Sequence, residues 1–195
     1  MKIYGDDRSG NCLKVRWTCD LLGIAYDWTE VLALTGATLD PNFQALNPAG
    51  QVPVVVLDDG RTLAQSNAII WHLAEGTRLI PVDAYERAKM LEWMFWEQYS
   101  HEPVIAVRRA KVALLGLPES EIDQSLFARG EKLFAIMENW LSSNKWFSGA
   151  SFGLGDIALV AYTRFAPEGG WSFQAFPALA AWINACETEL GLASL

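Results

Sequence analysis

Every strand-like run in this 195-residue chain lies before Gly76, and everything after Asp83 reads as helix. That division limits the architecture more than any other feature: an α/β half must be followed by an all-α half. Lys2-Ile3-Tyr4 reads as a short strand, and Asn11–Leu22 as a helix ended by Gly23. Ala25–Leu32 is a second strand, with Tyr26, Trp28 and Val31 in rough alternation. Strand, helix, strand in this order implies a parallel pair with a helical crossover. A short helix around Asp40–Leu46 follows. Val52–Leu57 is β-branched enough for a buried strand, and Asp58-Asp59-Gly60 turns it back so that Arg61-Thr62-Leu63 pairs as a hairpin. Ser66–Ala74 is a helix closed by Gly76. The first half is therefore βαβ, a short helix, then ββα.

In the second half, Ala84–Tyr99 carries Tyr85, Ala88, Leu91, Phe95 and Tyr99 at helical spacing. Pro103 is expected to kink or break this run near Tyr99–Glu102, because proline lacks the N–H that the ladder needs. Leu117-Pro118-Glu119 is a second break. Glu121–Leu141, Gly155–Phe165 and Phe176–Leu190 complete an all-helical bundle. The expected domains are 1–76 and 84–195, joined by a linker at 77–83.

Composition narrows the function. A net charge of −8 disfavours nucleic acid or an anionic membrane as partner. The apolar runs are too short to span a bilayer, and no secretory signal opens the chain. Cys12, Cys19 and Cys186 are an odd count without metal-site spacing, so neither a metal nor a disulfide framework is expected. A reducing, cytoplasmic setting follows. The nine tryptophans are either packing or the wall of a pocket for flat apolar ligands.

Three places can carry chemistry. Pro53 heads a β-branched strand. It is either an ordinary strand-entry proline or a cis Val52–Pro53 turn that turns the Val52 backbone outward as a dock for an extended peptide. Ser66 either caps its own helix or stands with Gln65 beside free N–H groups that suit a carboxylate. In Ser9-Gly10-Asn11-Cys12, a hydroxyl, an amide and a thiol lie at a helix N-terminus, where a thiolate is stabilised. Cys12 is either reactive or buried filler.

The order and spacing of these segments resemble the glutathione transferases. Ser9-Gly-Asn-Cys-Leu-Lys-Val15, Leu46-Asn-Pro-Ala-Gly-Gln-Val-Pro-Val54 and Leu63-Ala-Gln-Ser-Asn-Ala-Ile69 carry the resemblance in the first half. Met94–Pro103, Ala161–Gly170 and Phe176–Trp182 look like the bacterial branch, serine-type or asparagine-assisted. The resemblance implies a thioredoxin-like βαβ-α-ββα domain, then a helical domain, usually in a homodimer. It further implies glutathione as co-substrate, with Val52 pairing its backbone to the cysteinyl part and Pro53 cis. Gln65 and Ser66 would hold the γ-glutamyl end, and Gln51 would lie near the glycyl end. Ser9 matches the hydroxyl that faces the thiol in serine-type members, and Asn11 the amide that does so in others. Three positions depart from the family pattern. Gln51 stands where many relatives have lysine, Gln65 where they have glutamate, and Gly153 where a Ser or Thr usually caps the helix that holds Asp156.

The activity implied is activation of the glutathione thiol for attack on a small electrophilic, apolar substrate. The second substrate is expected on the helical domain, against Trp93, Trp96, Tyr99, Arg108, Arg109 and Arg164. Two alternatives use the same fold. One is a glutathione-dependent disulfide or peroxide reductase, working through Cys12. The other is a non-enzymatic interaction module. His72 and His101 have no catalytic pattern around them and read as structural or surface residues.

Overall fold

A computed structural model describes residues 1–193. The chain forms two compact units, Met1–Thr77 and a second that begins at Arg78. The first contains β1 (Lys2–Gly5), α1 (Gly10–Leu22), β2 (Asp27–Glu30), α2 (Pro41–Leu46), β3 (Val54–Val56), β4 (Thr62–Ala64) and α3 (Ser66–Ala74). Its sheet has the order β2-β1-β3-β4. β1 runs parallel to β2 and antiparallel to β3, and β3 is antiparallel to β4. The expected βαβ-α-ββα half is what forms, with shorter strands than the sequence suggests. Pairing sets those lengths: β1 has only four residues to offer its neighbours.

Local chemistry fixes the ends of the elements. Gly23 terminates α1 in a left-handed conformation (φ 65°), where glycine meets no Cβ penalty. Asp40 accepts the Asn42 N–H and Pro41 opens α2, satisfying the start of a short helix. The fully buried Ile3, Val15, Val54, Val55, Ile69 and Ile70 form the core of this unit, in which α1 packs on α3. β1 ends on Gly5, where a Cβ would lie 2.5 Å from the Trp28 ring.

The second unit contains α4 (Ala84–Trp96), α5 (Glu102–Arg109), α6 (Ser125–Leu141), α7 (Leu154–Thr163) and α8 (Pro177–Leu190). Pro103 does not break the run. It sits in the first turn of α5, immediately after a π-helical turn over Glu97–His101. The wider turn makes room where the proline ring would press on the preceding carbonyl and its N–H is missing. A second π turn, Ala110–Leu114, leads into the loop around Pro118. α6 starts at Ser125, later than its apolar spacing suggests, and the Asp123 carboxylate accepts the Ser125 N–H there (2.9 Å). His101 is fully buried, 3.0 Å from Thr163 Oγ1. That hydroxyl donates to Leu159 O, so the imidazole Nε2 is the donor to it. His72 is exposed on α3.

α7 is buried on every side, and Asp156 organises its start. The Asp156 carboxylate accepts N–H bonds from Phe147 (2.8 Å), Ser148 (3.2 Å), Gly153 (3.2 Å) and Trp182 Nε1 (2.9 Å). Gly153 has no side chain to cap the helix. The acceptor for the Asp156 N–H is the Ser148 hydroxyl at 3.2 Å, supplied from the preceding loop. A Cβ on Gly153 would lie 2.6 Å from Leu79 O and 2.8 Å from Ser148 Cβ, so the borrowed hydroxyl occupies the place of the missing one.

Most of the tryptophans prove to be packing. Trp17, Trp93, Trp146, Trp171 and Trp182 are buried. Trp93 meets Trp96, Trp140 and Phe147 edge-on, with centroids 5.3, 5.3 and 4.7 Å apart. Among the described residues, no helix is long and apolar enough to cross a membrane.

Candidate functional site

Strand register brings the three candidate segments to one end of the sheet. Gly5 ends β1, Val54 begins β3 opposite Tyr4, and Ala64 ends β4 opposite Val54. The turn at Asp6–Ser9, the Val52–Pro53 step and the Gln65-Ser66 start of α3 therefore leave the sheet from the same edge.

The first segment is held by Asp6, a residue the sequence reading passed over. Its buried carboxylate accepts from Arg8 N (3.0 Å), Arg8 Nε (2.9 Å), Arg8 Nη2 (2.8 Å) and Ala33 N (3.0 Å). It ties the turn before α1 to the loop after β2. Burial opposes its ionisation, but the bonds from Arg8 and Ala33 outweigh that and hold the carboxyl below its ordinary range. A depressed carboxyl stabilises the fold above its unfolded pKa and loses that contribution as pH falls through the folded one. Acidification between about pH 5 and pH 3 is thus expected to destabilise the first unit less in Asp6→Asn than in the parent chain, by thermal melts across that window.

Ser9 is the N-cap of α1, yet its side chain makes no capping bond. The hydroxyl is therefore not consumed by its own helix. It lies against the thiol of Cys12, and a hydroxyl rotor turns readily toward a new acceptor. Cys12 itself is fully buried and accepts the Asp6 N–H at 3.4 Å. Burial pushes its thiol up to about 12, against the pull of the Asp6 and Ser9 hydrogen bonds. Such a thiol is neutral at pH 7 and has no access to a substrate. Cys12→Ser is expected to keep activity within about twofold, with an electrophile and with a disulfide alike, since an inert buried thiol takes no part in either. A loss confined to the disulfide assay would revive the thiol-reductase alternative.

Asn11 joins two helix N-termini. The Ser66 hydroxyl, on the first residue of α3, donates to Asn11 Oδ1 at 3.0 Å, and the Lys14 ammonium donates to the same oxygen at 2.9 Å. Ser66 is thus not capping its own helix; the N-cap is Gln65, without a side-chain cap bond. Gln65 has φ 69° and ψ 108°. Among the described residues it is the one non-glycine with positive φ. A side chain held in that region costs about 1–3 kcal/mol and is typical of sites that must present a group in a fixed direction.

The Val52–Pro53 peptide is cis, as the resemblance implied. Pro53 is buried, Val52 half-buried and Gln51 exposed. Among the described residues, no hydrogen bond is made by the Val52 N–H or C=O. Asn47 shapes this loop: its Nδ2 donates to Gln51 O (2.8 Å) and its Oδ1 accepts from Ala49 N (3.1 Å). The polar Asn47, buried beside a Pro-Ala-Gly run, is the kind of signal that points to a loop organiser.

Of the residues expected on the helical unit, Trp93 and Trp96 meet at 5.3 Å, and Arg109 and Arg164 both lie over the Phe165 ring. Trp93 is buried, Trp96 half-buried and Tyr99 88% exposed, on α4 and the π turn after it. All three arginines are buried and bound to carboxylates. Arg108 bonds Gly169 O (2.7 Å) and Glu119 (2.8 Å), Arg109 bonds Glu168 (2.7 Å), and Arg164 bonds Glu187 (3.1 Å) and Ala193 O (2.9 Å). Arg108 and Arg109 thereby fasten the 166–170 loop to α5.

The chain is similar in sequence and fold to known proteins. Residues 8–75 match the family model described as glutathione S-transferase, N-terminal domain, and residues 104–189 match that of the C-terminal domain. The chain is 31% identical over 188 residues to glutathione S-transferase GstB of Escherichia coli K12, covering 92% of this chain and 89% of that one. It is 30% identical to glutathione S-transferase 3 of Zea mays, covering 95% and 88%. A crystal structure of a glutathione S-transferase from Pseudomonas fluorescens Pf-5 superposes with a TM-score of 0.93 at 42% identity, covering 96% and 94%. A theta-class enzyme from Xanthomonas axonopodis pv. citri, solved with glutathione bound, gives 0.85 at 29%, covering 100% and 98%.

Proposed function

Because the chain belongs to the glutathione S-transferase family, we propose that its transferase chemistry is carried by the Ser9–Asn11 turn, with glutathione held along the sheet edge. The single observation that carries this reading is the Ser66–Asn11 hydrogen bond of 3.0 Å. It couples the start of α3 to the start of α1, two N-termini that both favour negative charge. The Val52 N–H and C=O take the cysteinyl part in β-like pairing, beside the cis Pro53. Gln65 and Ser66 receive the γ-glutamyl carboxylate, and Gln51 lies near the glycyl end. Ser9 and Asn11 donate to the sulfur and favour thiolate over thiol.

Ser9 acts as a donor, so no covalent enzyme intermediate forms. The thiolate attacks an electrophilic carbon, a new C–S bond forms, and the leaving group departs with its electron pair. This chemistry asks for no metal. The second substrate rests on the aromatic side chains of Trp96 and Tyr99, with Trp93 behind them in the core. Arg108, Arg109 and Arg164 are committed to carboxylates, which favours a structural role for them over contact with a leaving group. The three cysteines are free and buried, which supports a reducing, cytoplasmic setting. A homodimer is the assembly the family suggests, and a monomer by sedimentation at micromolar concentration would contradict it.

The test is binding and turnover measured separately. The protein is expected to be retained on immobilised glutathione, to melt higher with millimolar glutathione, and to conjugate a chloronitroarene. Absence of both retention and melting shift would sink the reading in favour of a non-enzymatic module.

A further inference from the structure

Side chains alternate between the two faces of the sheet in the first unit. Along β1, Ile3 is fully buried on one face, while Lys2 and Tyr4, on the other, are exposed and half-buried. Register sets Thr29 of β2 beside Tyr4 on that second face. The chain then takes two tight turns, Ala33–Thr35 and Ala37–Leu39, with Gly36 between them at φ 83°. They lead into α2, whose six residues bury only Phe43. A helix of fewer than two turns is too short to close the sheet face. A cavity of about 400 Å³ remains between the end of β2, the 31–40 loop and α2.

The wall of this cavity is mainly apolar with a few polar groups, the make-up of sites for small organic molecules. Tyr4, Val31, Phe43 and Leu46 supply the apolar part. The Tyr4 and Phe43 rings stand edge-on, with centroids 6.4 Å apart and planes at 68°, and so form a corner that takes a flat ring. The Tyr4 ring already holds a cation on its face, since Lys2 Nζ lies 4.9 Å from its centroid. The charge on the wall has one sign. Glu30 and Asp40 are exposed carboxylates, and among the described residues no Lys, Arg or His lines the cavity. Their hydrogen-bond donors are neutral: the Asn42 N–H to Asp40, and the Asp7 N–H and the Trp28 indole to Glu30. The Asp7 carboxylate lies within 4.8 Å of that of Glu30, while Arg8 is paired with Asp6. The hydroxyls of Tyr4 and Thr29, both on the wall, are bonded to none of the described residues.

We infer that this cavity is a separate small-molecule site, for a flat aromatic ring that carries a protonated amine. The ring fills the corner of Tyr4 and Phe43 against Val31 and Leu46, and the ammonium meets Glu30 and Asp40. An anion of the same shape is repelled by both carboxylates, which gives the site its selectivity. None of the residues assigned above to glutathione lines the cavity, so the inference does not rest on that assignment.

The test uses three probes with one ring system and three charges: 1-naphthylmethylamine, 1-naphthalenemethanol and 1-naphthylacetate, titrated into the isotope-labelled chain by NMR. The amine is expected to shift the amides of Val31, Ala37, Phe43 and Leu46 together. It should bind about tenfold more tightly than the acetate, with the alcohol between them, the scale of exchanging attraction for repulsion at partly exposed carboxylates. Asp40→Asn keeps the α2 cap, because asparagine caps a helix as well as aspartate does, and removes one charge. It is expected to weaken the amine by about threefold and to leave the alcohol unchanged. Val31→Trp, which fills the cavity, should abolish binding of the amine; if that variant does not fold, the amide map of the parent chain decides. Millimolar glutathione should leave the affinity for the amine within about twofold, as expected for two sites without coupling. Displacement of the amine by glutathione would overturn the inference. So would shifts that map elsewhere in the chain, or an acetate that binds as tightly as the amine. A chain that takes the amine here and is not retained on immobilised glutathione keeps this inference and sinks the assignment of the glutathione residues.

Discussion

Asp156→Ala is expected to unfold the helical unit, or to lower its stability by roughly 4 kcal/mol, the high end for a single substitution. The carboxylate is fully buried, and four N–H groups converge on it from two loop residues, the helix cap and the α8 indole. Burial pushes this carboxyl up from its ordinary value, against those donors. Removing it leaves them without an acceptor inside a helix start that is buried on every side, and each buried unsatisfied donor costs about 1–3 kcal/mol. Chemical denaturation measures the loss. A change under about 1 kcal/mol would mean that water enters and replaces the carboxylate. Ser148→Ala tests the borrowed cap in the same assay, with about 1 kcal/mol expected for one lost acceptor at a helix start. Gly153→Ser is not the natural repair it seems from sequence. Its Cβ would meet the Leu79 backbone oxygen at 2.6 Å, and relief requires the backbone to move.

Ser9→Ala is expected to cut kcat/KM at neutral pH by up to about a hundredfold while the protein is still retained on immobilised glutathione. A free thiol titrates near about 8.5, and lowering that by about 2 units takes roughly 2.7 kcal/mol of preference for the thiolate. If the hydroxyl supplies most of it, the acid limb of the pH profile moves up by a similar amount when the hydroxyl is removed. Binding persists because Val52, Gln65 and Ser66 hold other parts of the ligand. An unmoved limb with full activity would pass the role to Asn11 and the α1 N-terminus.

The two substitutions differ in how far the sequence foresees them. Ser9, Val52-Pro53 and Gln65-Ser66 stand out along the chain because turn, proline and helix-start chemistry is local and leaves short motifs. For the same reason the boundaries of α1, α2 and α3 were legible within a residue or so: Gly23, Asp40-Pro41 and Ser66 act through their own backbone. The route of the helix through Pro103 was not legible. A π turn depends on what packs around Glu97 and His101, and both are fully buried by distant elements. Asp6 and Lys14 were missed as well. Each looks like an ordinary charged residue until the fold buries it and shows its partners.

By itself, then, the sequence determined the order of elements, the split after the seventies and the three segments that can carry chemistry. Those follow from periodicity and turn residues, which are short-range. Only the tertiary structure decided what satisfies each buried polar group. Ser148 caps a helix that begins six residues later, three arginines close ion pairs with carboxylates, and Lys14 and Ser66 share one oxygen of Asn11, Ser66 from 55 residues along the chain. The physical reason is that an unmet donor or acceptor in the core is penalised wherever its partner comes from, so the solution is set by proximity in space.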